Sequence, residues 1–200
     1  MTYKNYIWDL GGTLLDNYEV STRAFIAVLF RHGFIRLHHE IYPALKVSTG
    51  HAVEKFAKEI PGFLSEYKKL EAESLEKPIL FDGGKDVLAK VIESGGQNFM
   101  ISHRNRQVLS ILESSGIKFY FTEVVTSENG FPRKPQPNSI NYLLEKYQLE
   151  KADTLVIGDR EIDIDAGHSA GCSTVFFDSS AVNDKATYSV KSLREILKLK

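Results

Sequence analysis

Residues 6–16 read YIWDLGGTLLD, and this stretch is more informative than any other part of the chain. An apolar, aromatic run ends at Asp9, which places a carboxylate at the carboxyl end of a predicted buried strand. Gly11 and Gly12 follow, and glycine lets the backbone approach a ligand closely. The stretch therefore predicts a place for an anion and a nucleophile.

The composition is that of a globular protein. Of its residues, 42% are hydrophobic and 26% are charged. A length of 200 residues is enough for one core domain with a modest insertion. The net charge of −1 lacks the basic footprint of nucleic-acid-binding and membrane-surface proteins. The longest apolar run, residues 24–30, is too short to span a bilayer, and the start of the chain has no signal-peptide pattern. The single cysteine, Cys172, excludes an intrachain disulfide and predicts a reducing, cytoplasmic setting.

The spacing of apolar residues predicts an α/β fold. After residue 78, strand-like segments alternate with helix-like segments, as in the βαβ units of a parallel sheet. We therefore expect a Rossmann-like parallel sheet with helices on both faces, formed by residues 1–15 and 79–200. Residues 16–78 read as amphipathic helices, which predicts a small all-helical cap domain inserted after the first strand. The expected strands are 3–9, 98–101, 123–126, 154–157 and 174–177, and the expected core helices are 84–94, 104–115, 137–147 and 162–170.

Polar side chains stand where these predicted strands end. Ser102 follows the second strand, Lys134 lies in a proline-rich loop before a helix, and Asp159 follows the fourth strand. Ligands of open parallel sheets bind beyond the carboxyl ends of the strands, so we expect these side chains to meet Asp9 there. Asp163, four residues after Asp159, would face the same point. Carboxylates of this kind form an oxygen-rich site that suits Mg²⁺.

These segments, in their order and spacing, resemble the haloacid dehalogenase superfamily, in its phosphatase branch with a helical cap, like phosphoglycolate phosphatase and β-phosphoglucomutase. The resemblance covers the whole chain. It implies a Mg²⁺-dependent hydrolase in which Asp9 attacks phosphorus to form an aspartyl-phosphate that water then hydrolyses. Ser102 and Lys134 would hold the phosphoryl oxygens, and Lys134 would also keep Asp9 ionised. By the same resemblance the metal ligands would be Asp9, the Gly11 carbonyl, Asp159 and Asp163, and the substrate-binding residues would be Gly12, Thr13, Ser102, His103, Lys134 and His51.

The chain departs from the pattern of these phosphatases at Gly11. In the family, the residue two after the nucleophile is an Asp that protonates the leaving oxygen and later activates water. Such positioned proton transfer is typically worth about 10² to 10⁴ in rate. Glycine lacks this group but keeps the backbone carbonyl that the metal uses. The resemblance therefore implies that metal and phosphate binding survive better than turnover of alkyl phosphates.

Gly11 leaves four interpretations open. The protein is a slow phosphatase, or one whose substrate, such as an acyl phosphate, needs no proton on its leaving group. Alternatively, His51 or His103 supplies the acid. A third interpretation is a related reaction, of the dehalogenase or phosphonoacetaldehyde hydrolase type. Dehalogenases need no metal, so the acidic pair Asp159 and Asp163 argues against a dehalogenase. Val53 stands where a phosphonoacetaldehyde hydrolase has its cap lysine, which argues against that reaction. The fourth is a phosphate-ligand-binding or protein-interaction relative without turnover.

The predicted cap bears on the substrate. A helical insertion would close over the sheet edge and exclude water, and residues 48–51 are expected to be its site-facing part. A small covered pocket favours a small phosphorylated metabolite as the partner, with no nucleic acid and no membrane. We expect a monomer or a homodimer.

Overall fold

The computed structural model describes residues 3–74 and 76–199, and it contains a six-stranded sheet in which all the strands are parallel. The strands are β1 (Asn5–Trp8), β2 (Gln97–Ile101), β3 (Phe121–Val125), β4 (Thr154–Gly158), β5 (Ser173–Phe177) and β6 (Tyr188–Val190). They run in the order β3-β2-β1-β4-β5-β6, with β1 next to both β2 and β4. This sheet confirms the predicted fold class.

Strand β1 shows why the sheet is covered on both faces. All four of its residues are buried, and successive side chains point to opposite faces. The helices of this unit are α5 (Gly84–Glu93), α6 (Gln107–Ser114), α7 (Asn138–Lys146) and α8 (Glu161–Ala170). Tyr6 and Trp8 belong to a core cluster with side chains of α5 and α6, whereas Ile7 belongs to a cluster with those of α7 and α8. A strand buried on both faces reads as a continuous apolar run, which is what the sequence has here.

The chain divides into two compact units. One comprises Met1–Leu15 with Leu80–Lys200, and the other is Asp16–Ile79. The second unit is helical and has its own core, in which the Phe25 ring lies 4.6 Å from that of Phe63 and 5.1 Å from that of Tyr67, between ring centroids. Its helices are α1 (Asn17–Arg31), α2 (His38–Val47), α3 (Thr49–Phe56) and α4 (Phe63–Ser74).

Several features of the α/β unit differ from the sequence-based expectations, and among them β1 is Asn5–Trp8 rather than 3–9 and β3 is Phe121–Val125 rather than 123–126. The short strand β6 (Tyr188–Val190) was not predicted; it adds to β5 at the sheet edge. Helix α6 begins at Gln107 and not at residue 104, because the preceding residues form a turn in which Asn105 Oδ1 accepts a hydrogen bond from the Gln107 backbone N–H. Within residues 3–74 and 76–199, no helix combines the length and the apolar character that a membrane span requires.

Candidate active site

The turn after β1 fixes the backbone of Asp9. Its N–H donates to the carbonyl of Ile157 in β4 at 2.8 Å, which continues the sheet pairing beyond Trp8. The Leu10 carbonyl then accepts hydrogen bonds from Thr13, Leu14 and Leu15, and Gly12 takes the left-handed conformation with φ 90°. The buried Asp9 carboxylate is therefore held at the carboxyl end of a central strand.

Lys134 lies at the centre of the site. Its Nζ is 2.5 Å from Oδ1 of Asp9 and 2.5 Å from Oδ1 of Asp163, and it is 3.5 Å from the Ile101 carbonyl oxygen. Burial by itself lowers the pKa of this lysine, but the charges of Asp9 and Asp163 outweigh it and hold the pKa above its ordinary value. Lys134 therefore joins the carboxylate after β1 to the one on α8 as a charged ammonium.

Asp159 and Asp163 flank the turn from β4 into α8. Asp163 is the third residue of α8, and its Oδ2 accepts a hydrogen bond from the Arg160 backbone N–H at 3.2 Å, which satisfies a free amide at the helix start. The turn requires glycine at position 158, because a Cβ there would lie 2.3 Å from the Cβ of Asp163. Gly158 was not predicted as a site residue, although a glycine directly before the strand-end Asp159 was a signal that could have identified it.

The three acidic side chains meet at one point and fit a divalent cation. Carboxylate oxygens of Asp9, Asp159 and Asp163 lie within 4.8 Å of one another, and all three residues are buried. Three carboxylates so close together concentrate negative charge, and the Lys134 ammonium beside Asp9 and Asp163 offsets one unit of it. Burial and then the Asp9 charge raise the pKa of Asp163, against the opposing effect of Lys134. An oxygen-donor cation such as Mg²⁺ would neutralise this charge, so the residue set fits the predicted metal.

Ser102 and His103 lie at the end of the neighbouring strand. The Ser102 N–H donates to the Val125 carbonyl at 2.9 Å, and its buried Oγ accepts from the Arg104 N–H at 3.3 Å. The His103 Nε2 accepts a hydrogen bond from the Lys134 backbone N–H at 2.9 Å. Ser102 and His103 also line a cavity of 180 Å³ between the ends of β2 and β3.

The state of His103 bears on the search for a replacement acid. Burial, followed by the charges of Lys134 and Arg133, lowers the pKa of His103 to about 4. The ring is therefore neutral near pH 7, and its Nε2 is occupied as an acceptor. A neutral imidazole is a weak acid, so this arrangement disfavours His103 as the proton donor.

The remaining predicted site residues fall in different places. Gly11 is half-buried in the turn after β1, and Gly12 and Thr13 are buried beside it. Within the described ranges the Thr13 hydroxyl has no hydrogen-bond partner. His51 belongs to the helical unit, in the first turn of α3, where its N–H donates to Ser48 Oγ at 3.0 Å. Its exposed side chain lines a groove of 330 Å³ with residues of α2 and α3.

Known proteins resemble this chain in sequence and in fold. The family model for haloacid dehalogenase-like hydrolases matches residues 6–177. A phosphoglycolate phosphatase from Vibrio cholerae serotype O1 is 27% identical over 139 residues, which are 69% of this chain and 56% of that relative. The chain thus spans about half the length of the curated phosphoglycolate phosphatases that it matches.

Solved structures match over a larger share of their length. A hydrolase from Streptococcus pneumoniae TIGR4 is 52% identical, with 100% of both chains covered and a TM-score of 0.89. A hydrolase of the same family from Deinococcus radiodurans R1, solved with bound phosphate and sodium, is 17% identical, with 98% of this chain and 93% of that chain covered and a TM-score of 0.81. The second match is evidence for the fold alone.

Proposed function

Because this chain belongs to the haloacid dehalogenase-like hydrolase family, we propose that it is a Mg²⁺-dependent phosphatase of a small phosphorylated metabolite. In this proposal it acts through an aspartyl-phosphate on Asp9. The phosphoglycolate phosphatase name of a relative supports phosphate chemistry. The near-neutral charge and the single Cys172 fit a cytoplasmic enzyme.

One observation carries this proposal. The Lys134 ammonium lies 2.5 Å from both Asp9 and Asp163, and carboxylate oxygens of these two residues and of Asp159 lie within 4.8 Å of one another. A nucleophile, a fixed cation and an acidic pair at one sheet edge are the groups that phosphoryl transfer needs. Ser102, at the end of the adjacent strand, would add a hydroxyl donor for a phosphoryl oxygen.

The chemistry runs in two steps. An Asp9 carboxylate oxygen attacks phosphorus, the bond from phosphorus to the ester oxygen breaks, and the leaving group departs with the bonding electrons. Water then attacks the aspartyl-phosphate, releases inorganic phosphate and restores Asp9. Lys134 keeps Asp9 ionised before the attack and pairs with the phosphoryl oxygens as charge moves onto them.

A divalent cation would supply electrostatic stabilisation of the transferring phosphoryl group. Asp9, Asp159 and Asp163 would hold it together with the carbonyl of Gly11. Mg²⁺ is the preferred candidate because all of these ligands are oxygens. A hydrolase from Bacillus subtilis of the same fold was solved bound to magnesium, which is consistent with this choice.

Gly11 sets the substrate range in this proposal. With no carboxyl group at that position, an alkoxide leaving group receives no proton from the turn after β1. An acyl phosphate leaves as a carboxylate and needs none. Because His103 is neutral and its Nε2 is an acceptor, His51 is the remaining candidate for a replacement acid of the two histidines considered. We therefore propose a preference for acyl or aryl phosphates over sugar phosphates.

The helical unit Asp16–Ile79 would act as a cap that excludes water and selects a small substrate. Gly50 and His51, at the start of α3, would be the part that meets the substrate. A monomer or a homodimer would suffice for this function, because all of the named groups come from one chain.

A binding-only relative is the second candidate, and Gly11 is the observation that favours it. Such a protein would keep the Asp9, Lys134 and Asp163 arrangement to bind a phosphorylated ligand or a partner without turnover. Dehalogenase-like or phosphonoacetaldehyde-hydrolase-like cleavage ranks lower. The acidic pair argues against the first of these reactions, and Val53 at the expected lysine position argues against the second.

Phosphate release decides between these candidates. The panel is acetyl phosphate, para-nitrophenyl phosphate and several sugar phosphates, each with and without Mg²⁺, and the control is Asp9→Asn. We expect Mg²⁺-dependent release that disappears in the control, fastest with acetyl or para-nitrophenyl phosphate.

Each other result has a defined meaning. Efficient sugar-phosphate turnover that is lost in His51→Gln would identify a replacement acid. Activity retained in Asp9→Asn would remove Asp9 from the mechanism. If a folded protein binds Mg²⁺ and phosphate but releases no phosphate, the binding-only candidate replaces the phosphatase.

A further inference from the structure

His103 connects two loops of the site. Its Nε2 accepts from the Lys134 backbone N–H at 2.9 Å, and its carbonyl oxygen accepts from the Arg133 guanidinium at 3.2 Å. His103, which directly follows Ser102, therefore forms hydrogen bonds with two consecutive residues of the loop that carries Lys134. These hydrogen bonds tie the end of β2 to the loop before α7.

Lys134 is consequently held at both ends. The backbone amide is bound by His103, while Nζ is bound by Asp9 and Asp163. A lysine side chain is long and has many rotamers, so the place of its ammonium depends on where its backbone is fixed. A shift of that backbone would separate Nζ from two carboxylates that it meets at 2.5 Å.

The surroundings of the ring keep Nε2 as an acceptor. Three cationic side chains, those of Lys134, Arg133 and Arg160, disfavour an imidazolium, as does burial; the opposing group is Asp163. Because Nε2 receives the amide proton, the proton of the neutral ring is assigned to Nδ1. This tautomer makes the hydrogen bond to Lys134 possible.

We propose that His103 is a positioning residue, which places the Lys134 ammonium between Asp9 and Asp163 by holding the Lys134 backbone. It does not donate a proton to the leaving group. The catalytic part of this role rests on the proposed phosphatase function, whereas the placement of the ammonium does not.

Three substitutions at His103 test the proposal. Gln carries its amide oxygen at the distance of Nε2 and restores the acceptor, Asn reaches only as far as Nδ1, and Ala has no acceptor. His168→Ala is the matched control, because it removes a histidine whose Nε2 bonds Thr174 at 3.0 Å within the same unit. Thermal unfolding of every variant first establishes that it is folded.

Two NMR measurements detect the placement without any assumption about activity. Hydrogen exchange of the Lys134 amide should accelerate roughly tenfold in the Ala and Asn variants, as expected for loss of one hydrogen bond. The ¹H–¹⁵N signal of the buried Lys134 ammonium should disappear or shift in the same two variants. The Gln variant and the His168→Ala control should keep both properties of the wild type.

Turnover adds the catalytic test. We expect kcat/KM to fall roughly ten- to a hundredfold in the Ala and Asn variants, since small misplacements of catalytic groups have effects of this size. The Gln variant should recover most of the loss, which a proton donor at His103 would not allow. If the wild type releases no phosphate, the phosphatase proposal fails, while the two NMR measurements still decide the positioning role. An unchanged ammonium signal in His103→Ala, or an equal loss in the Gln, Asn and Ala variants, would overturn it.

Discussion

Replacing Gly158 with alanine should disrupt the site although the substitution removes no charged residue. The new Cβ would lie 2.3 Å from the Cβ and 2.4 Å from the Cγ of Asp163. The nearest atoms would have to separate by about 1 Å to reach ordinary van der Waals contact. Neither partner can yield easily, since Gly158 ends the buried strand β4 and Asp163 is held in the first turn of α8.

The magnitude follows from what Asp163 touches. Overpacking of a buried region typically costs about 1–3 kcal/mol. Displacement of Asp163 also lengthens its 2.5 Å ion pair with Lys134, and a buried charge left unpaired costs about 3–5 kcal/mol. Because the chain can relax in part, we expect the free energy of unfolding to fall by about 3 kcal/mol.

Urea unfolding and Mg²⁺ titration calorimetry measure the two consequences of Gly158→Ala. We expect the lower stability to be accompanied by weaker Mg²⁺ binding, because Asp163 is a proposed ligand. Gly84→Ala is the matched control in the same unit, since a Cβ there meets its nearest atoms at 3.4 Å and 3.5 Å. A Gly158→Ala protein with stability and Mg²⁺ affinity equal to those of the control would refute this account of the turn.

Three further predictions concern the charges and the missing acid. Lys134→Met leaves Asp9 and Asp163 buried without their counter-ion, so we expect urea unfolding at pH 7 to show a loss of about 3–5 kcal/mol; a loss near zero would contradict the ion-pair geometry. The pKa of His103 is about 4 in the folded protein, whereas the ordinary pKa of a histidine is near 6.5. As the pH drops below 6.5, His103 therefore becomes protonated in the unfolded chain before it does so in the folded protein. The contribution of His103 to stability should therefore be constant above that pH and fall between pH 6.5 and 4, by about 1 kcal/mol after allowance for partial exposure of the ring. His103→Gln should lack this fall in unfolding experiments from pH 7 to 4, and an identical fall in both proteins would assign it to another group. Gly11→Asp should raise turnover of alkyl phosphates by about 10² or more, and a folded variant without any gain in a steady-state assay would show that the missing acid does not limit the protein.

Much of the fold could be predicted because the signals are local and repeated. The segments 154–157 and 174–177 are apolar runs bounded by polar or helical segments, and each lies within a strand of the structure. The apolar run that contains Ile7 was a third clear strand signal, and its side chains are buried on both faces of the sheet. Strand β6 gave no comparable signal, because a strand of three residues becomes stable only when the edge of β5 is present to pair with it.

The candidate site could be predicted as a set of residues but not as a geometry. Asp9, Ser102 and Asp159 each follow a strand, and parallel strands bring their carboxyl ends to one edge, so the convergence follows from the order of elements along the chain. Their proposed roles stay predictions. The contact of Lys134 with two carboxylates at once could not be inferred, because its loop has no regular structure from which a direction can be read.

The order of apolar runs, glycines and acidic residues along the chain was thus sufficient for the parallel sheet and for the edge at which polar groups collect. These properties depend on spacings of a few residues. The ion pairs of Lys134, the acceptor state of His103 and the requirement for glycine at position 158 depend on groups up to 125 residues apart. Such groups meet only after the strands have paired and the helices have packed, because distances between their atoms, and the burial that shifts their pKa values, do not exist in the unfolded chain.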